Sequence, residues 1–223
     1  MKNGTVSSTK PNNNKMPWWL GIVIVVVALS ALMIGYLGIG TKQPGTPARR
    51  AGVLTHTGAA QPFPRNYRVI SLTSGKTVPV IRGRHLTVVM LMASWCLYCA
   101  YEDKYVWPQV ARSIPGMAID IVDVSTNGGI GNPGPKSPAF TGSDNPGAHI
   151  SVAGMRQTML IYAKQFHLND PNIHVFVDPT GISYWHVTVF PTFLFLNAKG
   201  QIVKRLNTAV TISQMQSELQ SLK

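Results

Sequence analysis

The only two cysteines of the 223-residue chain, Cys96 and Cys99, stand three apart in the run Ser94-Trp95-Cys96-Leu97-Tyr98-Cys99. They follow Leu86 to Met92 (LTVVMLM), a continuous apolar run typical of a strand buried on both faces. The next stretch, Cys96 to Ser113, has helical spacing, with Tyr98, Tyr101, Tyr105 and Val106 able to share one face. The spacing therefore places Cys96 in the first turn of a helix. Unpaired N–H groups and the helix dipole favour a thiolate there. The thiolate is the nucleophile in disulfide exchange. Cys99, one turn further on and more shielded, is within reach of Cys96 and can resolve a mixed disulfide.

Other uses of two thiols compete with this one. A zinc site would need two more ligands, and the six histidines (His56, His85, His149, His167, His174 and His186) offer no tight pair. A purely structural disulfide gains little from so short a loop. An inert buried thiol pair is a further reading. A non-enzymatic copper carrier would join the soft thiolates to Met or His ligands. Met90 and Met92 fall in the buried strand, however, and Met155 and Met159 have helical spacing, which suits core packing better. A second sequence feature accompanies the cysteines. Val189-Phe190-Pro191-Thr192 leads directly into the strand run FLFL. A proline interrupting an apolar strand needs a special reason, and a cis peptide at Phe190–Pro191 would supply one.

The elements that must position these groups are legible in outline. Tyr67 to Leu72 and Thr77 to Ile81 read as a hairpin turning at Ser74-Gly75, with Pro79 confining the second strand to an edge. Met117 to Val124, Ile173 to Val177, Pro191 to Leu196 and Gln201 to Leu206 read as further strands, the last two joined by Asn197-Ala198-Lys199-Gly200 as a hairpin. Val152 to His167 and Thr211 to Leu222 read as helices, the latter capped by Thr211 or Ser213. Strands alternating with helices, then a terminal hairpin and helix, imply an α/β domain: a central mixed sheet with helices on both faces. Ser125 to Ile150 is rich in Gly and Pro and reads as a mobile surface loop, a lid over a site being the sharper alternative.

The net charge of +12 invites a nucleic-acid reading, but its distribution argues against one. Eleven Lys and Arg precede His85, no Asp or Glu occurs before Glu102, and from His85 onward nine basic residues face eight acidic ones. A basic flank beside an apolar segment is instead a membrane-proximal feature. Trp18 to Gly40 supplies that segment: 23 residues without a charge, reaching about 34 Å as a helix, enough to cross a hydrocarbon core. Lys2, Lys10 and Lys15 before it balance Lys42, Arg49 and Arg50 after it, so the positive-inside rule is close to a tie. The expected organisation is a cytoplasmic tail at 1–17, an uncleaved anchor at 18–40, a Pro- and Gly-containing linker at 41–66 and a folded domain at 67–223. A single cysteine pair fits an oxidising exterior, which places the domain outside the cytoplasmic membrane, facing the periplasm or extracytoplasmic space. No GxGxxG motif and no P-loop occurs, so no cofactor is expected.

Ala93-Ser94-Trp95-Cys96-Leu97-Tyr98-Cys99 together with Phe190-Pro191-Thr192 resembles the thioredoxin superfamily. More narrowly it is similar to the membrane-anchored TlpA-like thiol-disulfide oxidoreductases, the group that includes cytochrome-c-maturation thioredoxins. The likeness spans roughly residues 67–222 and takes in the early hairpin around Gly75-Lys76, Glu102 three residues after the second cysteine, and Asp178 at a strand end. It implies a thioredoxin-like fold with an added N-terminal β-hairpin. It implies that Cys96 attacks and Cys99 resolves, that Pro191 is cis and faces the sulfurs, and that Trp95, Phe190 and Pro191 meet the substrate, the Phe190 backbone pairing with it in strand fashion. Glu102 matches a glutamate that tunes thiol acidity in such proteins, although a solvated helix-face charge reads equally well. Partners implied are protein thiols or disulfides and a membrane electron donor or acceptor. Electron flow is expected to be reductive, toward selected extracytoplasmic disulfides; a thiol oxidase or isomerase of secreted proteins is the rival. One departure stands out. Thioredoxins proper carry a buried aspartate six residues before the first cysteine, and that position here is Met90.

Overall fold

The computed structural model describes residues 60–222. The expected tail and membrane anchor, with most of the expected linker, lie outside these residues. Among the described residues no helix is long and apolar enough to cross a membrane.

The chain builds one eight-stranded sheet. Its strands are β1 (Gln61–Pro62), β2 (Val69–Ser71), β3 (Thr77–Val78), β4 (Leu86–Met92), β5 (Met117–Asp123), β6 (Ile173–Val177), β7 (Thr192–Asn197) and β8 (Gln201–Leu206). Their order is β1-β8-β7-β4-β5-β6-β2-β3. Strands β4, β5 and β6 run parallel, while β7, β8 and β1 continue one side antiparallel and the β2–β3 hairpin adds antiparallel to β6. Because β4 lies between β5 and β7 and both its faces are covered, every residue of LTVVMLM is buried, which explains its unbroken apolarity.

Alternation along β4 divides the core. Val88, Met90 and Met92 enter the larger hydrophobic cluster, and Val89 and Leu91 the smaller one on the opposite face. The larger side is roofed by a helical stretch made of α1 (Leu97–Tyr101), a π-helical turn (Glu102–Val106) and α2 (Trp107–Val110), together with α3 (Val152–Gln165) and α5 (Ile212–Gln220). The smaller side is closed by α4 (Gly181–Trp185) and the segment carrying Phe63, Tyr67 and Val80. Helices cover both faces as expected, but very unequally.

Two differences from the sequence reading have plain causes. The domain begins inside the stretch read as linker: β1 pairs with β8, Phe63 N–H donates to the Gly200 carbonyl at 3.0 Å, and Phe63 and Tyr67 are buried. A two-residue, solvent-exposed strand containing proline leaves no periodic trace. The cap of α5 is a capping box completed by Gln214, whose side chain accepts from Thr211 N–H at 2.7 Å, rather than a lone Thr or Ser.

Candidate active site

The site sits where β4 ends and α1 begins. Cys96 is the N-cap, with extended backbone (φ −80°, ψ 127°). Its N–H donates to the Ala93 carbonyl at 3.0 Å, closing a tight turn. The backbone N–H of Cys99 donates to Cys96 Sγ at 3.4 Å, so the sulfur takes the place that a serine or aspartate oxygen fills at ordinary helix starts. A helix N-terminus carries partial positive charge, and the Cys99 N–H is aimed at this sulfur. Both cysteines are free thiols and both are buried. Cys99 is fully enclosed, and burial, followed by the adjacent Cys96 sulfur, pushes its thiol well above the ordinary range. The pair is therefore asymmetric, with one sulfur at the mouth of the helix and one inside.

Across from Cys96 lies the turn that enters β7. The Phe190–Pro191 peptide is cis, and the Phe190 carbonyl oxygen is 3.9 Å from Cys96 Sγ. The Trp95 and Phe190 rings meet edge to face with centroids 5.9 Å apart. Pro191 itself is buried; Trp95 and Phe190 are half-buried. The Thr192 hydroxyl donates to the Val189 carbonyl at 2.9 Å, fixing the turn.

Beneath the sulfurs lie two carboxyl groups. Pro108 has no N–H to give to Lys104, and the helix responds by widening: Trp107 N–H reaches the Glu102 carbonyl, an i→i−5 bond. The extra residue per turn buries Glu102, Asp103 and Val106 together. Glu102 Oε1 accepts from Val210 N–H at 2.5 Å, and Asp103 Oδ2 accepts from the Tyr162 hydroxyl at 2.5 Å. Glu102 Oε2 and Asp103 Oδ1 have no partner. Burial raises both acids, Glu102 well above the carboxylate range and Asp103 up to about 8 despite the Tyr162 bond that opposes the rise.

Comparison with solved structures places this architecture. A DsbF homologue from Corynebacterium diphtheriae superposes with a TM-score of 0.51 at 14% identity, covering 79% of this chain and 96% of that one. The fold is thioredoxin-like. A thioredoxin-like protein from Aeropyrum pernix (TM-score 0.48, 12% identity, 70% and 88% covered) and a secreted Mycobacterium tuberculosis disulfide oxidoreductase homologous to E. coli DsbE (0.46, 14%, 70% and 96%) are similar as well. No protein-family model and no curated protein matches the sequence.

Within this thioredoxin-like domain, Trp95, Cys96, Cys99, Phe190 and Pro191 converge on one end of the sheet. Glu102 sits one turn behind them; it is fully buried, so the reading of it as a solvated helix-face charge is corrected. Met90 occupies the position of the missing aspartate as a core residue, its sulfur accepting from Trp107 Nε1–H at 3.2 Å. Met92, Met155 and Met159 are likewise core, and among the described residues no cluster of His, Cys, Asp and Glu is arranged to hold a metal.

Sequence reasoning missed the part played by residues 125–150. Instead of a free surface loop, they form a wall hydrogen-bonded along the active-site turn. Gly131 N–H donates to the Ser94 carbonyl and Asn145 N–H to the Trp95 carbonyl, each at 2.9 Å. Asp144 Oδ1 accepts from Leu97 N–H at 2.8 Å, so a side chain from the loop caps the helix that carries the cysteines. The hydroxyls of Tyr101 and Tyr105 donate to the Lys136 and Gly134 carbonyls at 3.0 and 2.9 Å, and the Phe140 ring packs on Tyr98 and Tyr101. The tyrosine spacing in the sequence was therefore a docking stripe for the loop. Gly131 is where the two pieces touch: a Cβ there would lie 2.6 Å from the Cys96 carbonyl carbon and oxygen. Gly131→Ala is expected to cost about 1–3 kcal/mol in denaturant unfolding and to slow thiol exchange, because either the wall or the Cys96 turn must move. Unchanged stability and unchanged exchange would show that the wall does not bear on the site.

Proposed function

We propose that the chain is a membrane-tethered, extracytoplasmic thiol-disulfide oxidoreductase that reduces selected protein disulfides. One observation carries the redox part: Cys96 Sγ takes an N–H from Cys99 at the head of a helix while facing the Phe190 carbonyl beside a cis proline. In this reading Cys96 attacks a substrate disulfide and forms a mixed disulfide. Cys99 then attacks Cys96, and the substrate leaves reduced. Trp95, Phe190 and Pro191 form the substrate edge, the Phe190 backbone accepting an extended segment by strand pairing. Glu102 acts on the thiols electrostatically from below.

The 23-residue uncharged run at 18–40 supports the tether, and a cysteine inventory limited to this pair supports an oxidising compartment. Electrons would come from a thiol partner in the membrane, since the sequence carries no nucleotide- or flavin-binding motif. Direction is tested by equilibrating the chain in glutathione redox buffers. The reductase reading expects a potential below about −180 mV, and a value near about −120 mV would overturn it in favour of an oxidase.

A further inference from the structure

Resting on the tethered reading above, we propose that the end of the sheet opposite the cysteines is a membrane-docking face, where Arg65, Arg82 and Lys199 take the phosphate groups of anionic lipids.

Strand register decides which residues share that end. Cys96 lies beyond Met92, the last residue of β4, and the opposite end is where β4 starts at Leu86, paired with Met117 of β5 and Asn197 of β7. Strand β8 also starts there, with Gln201 paired to Pro62 of β1. A strand of this length separates the two ends by about 20 Å. At the far end Pro62, Phe63, Arg65, Arg82, Lys199 and Gly200 line a cavity of about 270 Å³. The Arg82 guanidinium lies over the Phe63 ring, 4.4 Å from its centroid, which fixes one cation at the cavity. Arg84, beside Gly116, adds another at the same end. Arg65, Arg82, Arg84 and Lys199 are all exposed.

The eight acidic residues of the chain leave this end uncovered. Glu102 and Asp103 lie beneath the sulfurs, Asp144 caps α1, and Asp123 and Asp178 follow the strand ends nearest the cysteines. Asp170 is paired with Arg112 at 2.8 Å, and Glu218 is paired with Lys204. Asp120 is the carboxyl group whose charge Arg82 feels, but it is buried within β5, and burial pushes it up to about 8, so it offsets little of that charge at neutral pH. Among the described residues no ion pair uses Arg65, Arg82, Arg84 or Lys199.

The course of the chain selects the anion. Strand β1 starts at this same end, and residues 41–60 lead to it from the uncharged run at 18–40, carrying Lys42, Arg49 and Arg50 and no acid. Twenty residues span about 70 Å at full extension, so a bilayer that holds 18–40 stays within reach of the basic end. The planar fork of arginine matches phosphate oxygens, and each basic side chain near an anionic surface strengthens attachment by about five-fold. Docked this way, the domain holds Cys96 about 20 Å off the lipid and facing away from it, toward substrates outside the bilayer.

Amine labelling of the full chain in lipid nanodiscs with a water-soluble N-hydroxysuccinimide ester, mapped by mass, tests this. Lys199 reports the basic end, and Lys136, in the wall at 125–150, reports the other. Lys199 is expected to react about ten-fold more slowly on discs of phosphatidylcholine with phosphatidylglycerol than on phosphatidylcholine alone, with Lys136 within about two-fold. High salt should remove the difference. Arg65→Gln combined with Arg82→Gln, which keeps Lys199 as the reporter, should remove most of it; if that pair fails to fold, Arg65→Gln alone and the salt dependence decide. Equal Lys199 rates on the two lipids, a difference that survives salt or the substitutions, or equal slowing by inorganic phosphate on phosphatidylcholine discs would overturn the docking face alone. A chain that inserts into neither disc would overturn the tether and the docking face with it.

Discussion

Cys99→Ala is expected to leave the chain covalently joined to its partner. With the resolving sulfur gone, a mixed disulfide on Cys96 has no intramolecular exit, and Cys99 is the only second sulfur close enough to provide one. Expressed in its native host and alkylated at once, the variant should give a reducible adduct above the mass of the free chain. Cys96→Ser should give none, and its reduction of a disulfide substrate should fall by about a thousand-fold or more, to the uncatalysed background. The two outcomes are opposite in sign for residues three apart, which no packing defect would reproduce. Adducts of equal yield on both variants would contradict the division of labour between the sulfurs.

The second large effect is on stability. Among the described residues, burial raises four carboxyl groups: Asp103 and Asp120 to about 8, Asp123 to about 7, and Glu102 well above its usual value. Asp120 faces the thinner side of the sheet, with the Arg82 charge offsetting only part of its desolvation. The sign follows from linkage. A folded-state value above the unfolded one means that the native state binds more protons. The stability this contributes is full below about pH 4 and is lost as the pH rises through 7 to 8. Half-buried His174, shifted down, opposes this weakly from the acid side. The melting temperature is therefore expected to be roughly 5–10 °C higher at about pH 5 than at about pH 8.5, and Asp120→Asn should flatten the slope. Melting that rises toward alkaline pH would show that these groups ionise freely in the folded chain.

The placement of the two sulfurs and the cis proline was more legible in the sequence than the surroundings that shape it. Strands β4, β6 and β8 coincide with their apolar runs because continuous or alternating burial leaves a direct mark on composition. The Cys96–Cys99 pair and Phe190-Pro191-Thr192 were legible because few residue types suit those places. Helix α4 was missed because five residues carry no period, and β1 because its pairing belongs to the β8 edge and not to its own side chains. Asp103 escaped notice because its meaning depends on a π turn, produced by Pro108, that rotates it inward, and on a tyrosine 59 residues away. The available signal was a polar atom on the apolar stripe Met155, Met159, Tyr162 of α3. The wall at 125–150 was unreadable for a similar reason: its order comes from hydrogen bonds to the backbone of Ser94, Trp95 and Leu97, from the Tyr101 and Tyr105 hydroxyls and from the Phe140 ring, none of which glycine and proline content encodes.

Mass mapping of the reduced, folded chain after limiting iodoacetamide at neutral pH tests the central claim most directly. The account predicts that Cys96 carries the label first, while Cys99 stays protected until the protein is unfolded. Equal labelling of the two sulfurs, or Cys99 labelled first, would contradict it.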